Sequence, residues 1–187
     1  MSSTPPTIPR PKRVVTGHND SGKGIIQVVD QGRWTEVQGG KALWNVMWST
    51  TTFPINSATD DALQREAGKK DDEKTKVMAL SLPNGTVLRM VDRAPGTQSA
   101  MHRSQTVDYG VVLDGEMEMV MDSGESVVLH AGDVCIQRGT LHQWRNNTNQ
   151  WNRMLFVLMD AEPLTVGGKV LKGESGYEGV QGVGSRL

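Results

Sequence analysis

Gly96–Gly115 reads GTQSAMHRSQTVDYGVVLDG and Gly132–Asn146 reads GDVCIQRGTLHQWRN. Each stretch carries one histidine in a strand-like run and has glycines at its turns. Between them lie two short alternating strands, Glu116–Met121 and Glu125–His130, joined by Asp122-Ser123-Gly124. A hairpin of this kind brings distant strands side by side. It is expected to place His102, Asp108 and His142 around one small cavity. Residues of one parity on a strand share a face, and His102, Ser104 and Asp108 share parity.

Working outward, the strands follow one another quickly: Val77–Leu82, Thr86–Asp92, Asp108–Leu113, Asp133–Gln137, Leu141–Arg145 and Arg153–Met159. Turns such as Pro83-Asn84-Gly85 and Asp114-Gly115 separate them. Short strands spaced by about 8–12 residues indicate a β-sandwich or barrel. Upstream, Arg13–His18 and Gly24–Asp30 flank a turn at Asn19-Asp20-Ser21-Gly22, and Trp34–Val37 and Ala42–Ser49 add further strands. Ser57–Gly68 is the one helix the pattern predicts, with Ser57 or Thr59 as cap and Gly68 as stop. Lys69–Lys76, KKDDEKTK, reads as a solvated charged loop.

The two motifs are spaced Gly96-(x5)-His102-x-Ser104-(x3)-Asp108-(x6)-Gly115 and Gly132-(x5)-Arg138-Gly139-Thr140-Leu141-His142-(x3)-Asn146. This resembles the paired signature of the cupin superfamily, small jelly-roll barrels, over roughly residues 86–160. The resemblance implies an all-β fold: one barrel of two antiparallel sheets, with extra N-terminal strands and one short helix. Composition sets off a proline-rich extended or disordered arm (1–12) and a glycine-rich tail (161–187) from one domain (13–160, the barrel itself about 77–160). The tail is expected to be mobile, or strapped across the surface or onto a partner.

In that family the first motif supplies two histidines and a glutamate, and the second supplies a third histidine. Here Ser104 stands for one histidine and Asp108 for the glutamate, while Arg138-Gly139-Thr140 replaces a proline turn. Carried over, the ligand set is His102, Asp108 and His142. Two imidazoles and a carboxylate suit Fe(II) with open positions, or catalytic Zn(II). Asp is one methylene shorter than Glu, a shortfall of about 1.5 Å, so a metal-free acid–base site is the other expectation. Either way, His102, Asp108 and His142 are the candidate catalytic residues. His142 or Asp108 would move a proton while His102, or a metal on it, polarises a carbonyl. Ser104, Gln137, Arg138 and Trp144 are the candidate substrate contacts.

The remaining features are read as structural. Cys135 lies mid-strand and is a small core hydrophobe. His18 and His130 sit at turns. Arg103 and Arg145 have the opposite parity to their histidine neighbours and face outward.

Composition excludes several classes of function. Lys plus Arg is 20 against 21 for Asp plus Glu, with no basic patch for nucleic acid. No apolar run approaches the roughly 20 residues of a membrane helix, and MSSTPPTIPRPKR has no secretory apolar core. The single cysteine allows no internal disulfide, which fits a reducing, cytoplasmic setting. The resemblance implies a homodimer acting on a small oxygenated metabolite, as one-barrel cupins of microbial specialised metabolism do. Lyase or isomerase chemistry is the first expectation, a non-haem iron dioxygenase the second, and a non-catalytic small-ligand binder the third.

Overall fold

The computed structural model describes residues 8–58, 81–174 and 176. Its strands are β1 (Arg13–His18), β2 (Gly24–Asp30), β3 (Trp34–Val37), β4 (Ala42–Thr50), β5 (Thr86–Arg93), β6 (Thr97–Gln98) and β7 (Thr106–Asp114). They continue with β8 (Glu116–Met121), β9 (Ser126–His130), β10 (Val134–Arg138), β11 (His142–Asn146), β12 (Asn152–Asp160), β13 (Leu164–Val166) and β14 (Lys169–Leu171). The protein is all-β: the described residues contain no helix, and so none long and apolar enough to cross a membrane. The expected helix Ser57–Gly68 falls outside the described residues beyond Ala58, as do the charged run Lys69–Lys76 and most of Val77–Leu82.

Two sheets form the barrel. One has the order β10-β7-β12-β5-β4-β3 and the other β6-β11-β8-β9. Strand pairing is antiparallel throughout. The alternation seen in the sequence decides which side chains face inward. Cys135 and Gln137 are buried on β10 while Val134, Ile136 and Arg138 are exposed between them. The interior packs Val112, Met117, Cys135, Trp144 and Met154 together. Cys135 is thus a core residue, with its thiol 3.4 Å from the Met119 sulfur.

The outer face of the larger sheet is covered as well. Ile8 packs beside Leu43, Ala94 and Trp151, and the Pro9 carbonyl accepts a 2.7 Å bond from Arg153. The end of the expected arm is therefore docked on the barrel in its described part. Beyond the barrel, β13 and β14 form a hairpin around Gly167-Gly168. Arg103 and Glu174 then exchange backbone bonds of 2.7 and 2.9 Å, so the described tail is strapped against the strand segment that carries His102. Gly167-Gly168 between Thr-Val and Lys-Val-Leu is a hairpin signal that the glycine-rich reading of the tail passed over.

Candidate active site

The site begins with a backbone register. His102 and His142 are direct antiparallel partners, each amide donating to the other's carbonyl at 2.8 and 2.9 Å. Facing residues of such a pair project from the same side of the sheet. Their rings lie 4.4 Å apart, centroid to centroid, at 49°. Trp144, two residues on and on the same face, meets His142 edge-on at 5.8 Å. Across the barrel, Asp108 faces inward from β7, with Gln137 and Leu158 as its neighbours in register.

These side chains line a cavity of about 50 Å³ with Ser99, Ser104, Arg89, Arg93 and an apolar wall that includes Trp44, Met117, Met154 and Phe156. A water needs roughly 10–15 Å³ of such space, so the cavity suits a ligand of a few heavy atoms. His102, Ser104, Asp108, His142 and Trp144 thus meet at one cavity. Two of the expected substrate contacts are not among the residues lining it. Arg138 has the parity opposite to Gln137 and lies exposed on the outer face. Gln137 faces inward but is spent on the protein: its amide donates 2.7 Å to the Met119 sulfur, and its oxygen accepts from the Thr140 hydroxyl.

Arg89 and Arg93 are the residues that sequence reasoning missed. Both are buried, on the same face of β5 as Val87 and Val91. The signal was the alternation Val87, Arg89, Val91, Arg93. Buried arginines are rare, so arginine in a strand reads by default as outward-facing. Register decides otherwise: Val91 pairs with Trp44 on one side and Met154 on the other, and both of these line the cavity.

The hydrogen bonds assign the histidine tautomers. Nδ1 of His102 lies 3.0 Å from the Ala100 carbonyl, and Nδ1 of His142 lies 3.0 Å from the Thr140 carbonyl. A carbonyl only accepts, so Nδ1 carries the proton in each neutral ring and Nε2 carries the lone pair. Burial lowers the pKa of both rings. That of His102 falls to about 4, because burial is reinforced by the neighbouring His142 and by the charges of Arg93 and Arg89. Asp108 moves the other way. Burial raises its carboxyl to about 6, against the opposing charge of Arg89. Its buried Oδ1 has no hydrogen-bond partner.

The expected three-ligand metal centre is not assembled. Among the described residues no three His, Cys, Asp or Glu side chains are grouped closely enough to hold an ion. The two imidazoles have the tautomer of metal-bound histidines, with Nδ1 held by a carbonyl. Asp108 projects from the opposite sheet on a side chain one methylene short of Glu, and Ser104 supplies only a hydroxyl. The donor set does not fit a centre held by three protein ligands.

Comparisons with known proteins agree with this architecture. A family model described as Cupin domain matches residues 89–158. Phomopsin biosynthesis cluster protein C' of Diaporthe leptostromiformis is 40% identical over 173 residues, 91% of this chain and 89% of that protein. The cupin-domain-containing oxidoreductase srdB of Neurospora crassa is 37% identical over 92% of this chain and 85% of its own length. Among solved structures, the polyketide cyclase RemF of Streptomyces resistomycificus covers 72% of this chain and 70% of its own, at 15% identity and a TM-score of 0.42. That last likeness is too loose to carry chemistry across.

Proposed function

This chain belongs to the cupin family, and on that premise we propose that its barrel catalyses proton transfer on a small oxygenated metabolite in specialised biosynthesis. The chemistry is of the lyase or isomerase kind. The observation that carries this reading is the pairing, in one cavity, of two neutral imidazoles with a carboxyl group raised to about 6. Their environments invert the usual order of these titrations, leaving the imidazole neutral at a pH where the carboxyl still keeps its proton, which divides a base from an acid.

In this reading, His142 Nε2 takes a proton from the carbon next to a carbonyl, and His102 keeps a second basic nitrogen beside it. Protonated Asp108 donates to the carbonyl oxygen as it gains charge. His102 does not serve as the donor expected from the sequence, because its proton is held at Nδ1 by Ala100. The resulting enol regains a proton at another carbon (isomerisation), expels a leaving group from the β carbon (dehydration) or attacks a second carbonyl carbon (ring closure); in decarboxylation the same enol forms by loss of CO2 rather than by deprotonation of carbon. Neutral His102 and protonated Asp108 coexist between about pH 4 and about pH 6. The test is deuterium uptake from D2O into a panel of 2-oxo acids and 1,3-dicarbonyls, followed by NMR. Exchange is expected to be greatest in that pH window and indifferent to chelator. It should fall by about 10²–10⁴-fold in His142→Ala. Wild-type rates retained in His142→Ala would refute the assignment.

The oxidoreductase name of srdB favours a second reading, an oxygen-dependent oxidation. It calls for a metal that this donor set does not fit, so no step is derived for it. Stoichiometric iron with oxygen uptake would select it over proton transfer.

A further inference from the structure

One wall of the cavity carries two cationic residues that the proton-transfer reading leaves unused. Arg89 and Arg93 stand four residues apart on β5, their Cα atoms separated by about 13 Å at strand rise, with Val91 between them on the same face. Each is held within the fold. The Arg89 guanidinium lies 4.7 Å from the Trp44 ring centroid, and Arg93 donates to the Gln38 side-chain oxygen at 3.2 Å. Both nevertheless line the cavity, and both charges reach across it to His102. Guanidinium does not deprotonate in proteins. Asp108 is the only acid among the described residues lining the cavity, and its neutral form is the one burial favours. A ligand entering this cavity therefore meets a positive field set in apolar walls.

We propose that Arg89 and Arg93 select a substrate that carries a carboxylate, an inference that rests on reading this cavity as the substrate site. A planar carboxylate matches the fork of a guanidinium and forms short charge-assisted bonds with it. A dianionic phosphate asks for more donors than this largely apolar cavity offers. The same field stabilises negative charge that develops on a carbonyl oxygen one or two bonds from the carboxylate. Arg89 and Arg93 are thus binding and specificity residues, while His142 takes a proton from carbon and Asp108 gives one to oxygen.

The test is binding rather than turnover. Pyruvate, its neutral amide pyruvamide and inorganic phosphate are titrated into the full chain, with the methyl resonances of Met117 and Met154 reporting on the cavity. Pyruvate is expected to bind at least about tenfold more tightly than pyruvamide, a difference of about 1.4 kcal/mol. Arg93→Gln and Arg89→Gln should each collapse that ratio toward one, and the corresponding lysine variants, which keep the charge without the planar fork, should retain only part of it. The wild-type ratio needs no variant, so misfolding of a glutamine variant leaves the test intact. Equal affinity for pyruvate and pyruvamide would overturn the proposal. So would a ratio unmoved by folded Arg93→Gln, or phosphate binding as tight as pyruvate. If none of the three ligands moves Met117 or Met154, the cavity is not the substrate site and the proposal falls with that reading. A carboxylate preference without deuterium exchange would remove only the catalytic reading.

Discussion

A carboxyl group buried on a central barrel strand loses most of its hydration, and Asp108 responds with a raised proton affinity. Its Oδ1 is buried without a partner, and its titration rises to about 6. A folded-state pKa above the unfolded value of 3.8 means that the folded chain binds the extra proton between these two values. The stability linked to that proton is fully present below pH 3.8 and lost as pH rises through about 6. His102 has the opposite sign. Its folded value of about 4 lies below 6.5, so its contribution is intact above pH 6.5 and lost as pH falls toward 4. Replacing Asp108 by Asn removes the alkaline loss alone. Thermal melts should therefore show the stability of Asp108→Asn, relative to wild type, improving between pH 4 and pH 8 by roughly 2–3 kcal/mol, since each tenfold change in proton affinity is worth about 1.36 kcal/mol. A difference independent of pH would place Asp108 in water. The position and parity of this residue were legible in the sequence. Its environment was not, since burial belongs to the strands that close over it.

At the scale of elements, strand alternation was largely legible and the contents of the outer face were not. On β5 the odd residues turn into the cavity and Asp92 turns outward. There Arg153 grips it with two bonds of 2.6 and 2.7 Å, and Arg10 approaches at 3.3 Å. Trp34 takes both guanidiniums against its ring, at 4.1 Å for Arg10 and 5.1 Å for Arg153. This cluster ties the segment before β1 to the barrel, which is why the proline-rich arm is docked at Ile8–Arg10. No local pattern announces such a contact, because Arg10, Asp92 and Arg153 are far apart in sequence. Removing one partner of a buried ion pair leaves the other charge stranded. Asp92→Ala should cost about 3–5 kcal/mol by denaturant unfolding, and Asp92→Leu combined with Arg153→Met should recover much of it. A loss under about 1 kcal/mol in Asp92→Ala, the range of solvated pairs, would show the pair to be open to water.

Across the whole molecule, two sheets hold opposite halves of the chemistry. The smaller sheet edge presents His102 and His142, and the larger sheet presents Asp108, Arg89 and Arg93. The glycine-bounded motifs made the histidine wall readable, because both histidines occupy motif positions. The arginine wall required the register of β5 against β4 and β12. Gln137 and Arg138 do not line this cavity, because the motif gives their order along the chain, not the bonds that occupy one and the parity that exposes the other. Whether the barrel poises a neutral imidazole pair against a protonated carboxyl can be tested without any substrate. Side-chain NMR from pH 3 to pH 8 reads it directly, using ¹⁵N correlations for the histidines and ¹³Cγ shifts for the aspartate. Each histidine is expected to carry its proton on Nδ1 when neutral, with His102 titrating near 4, His142 below the ordinary imidazole value and Asp108 near 6. His102 titrating at its ordinary 6.5 with Asp108 at its ordinary 3.8, or a neutral ring of either histidine carrying its single proton on Nε2, would contradict that arrangement.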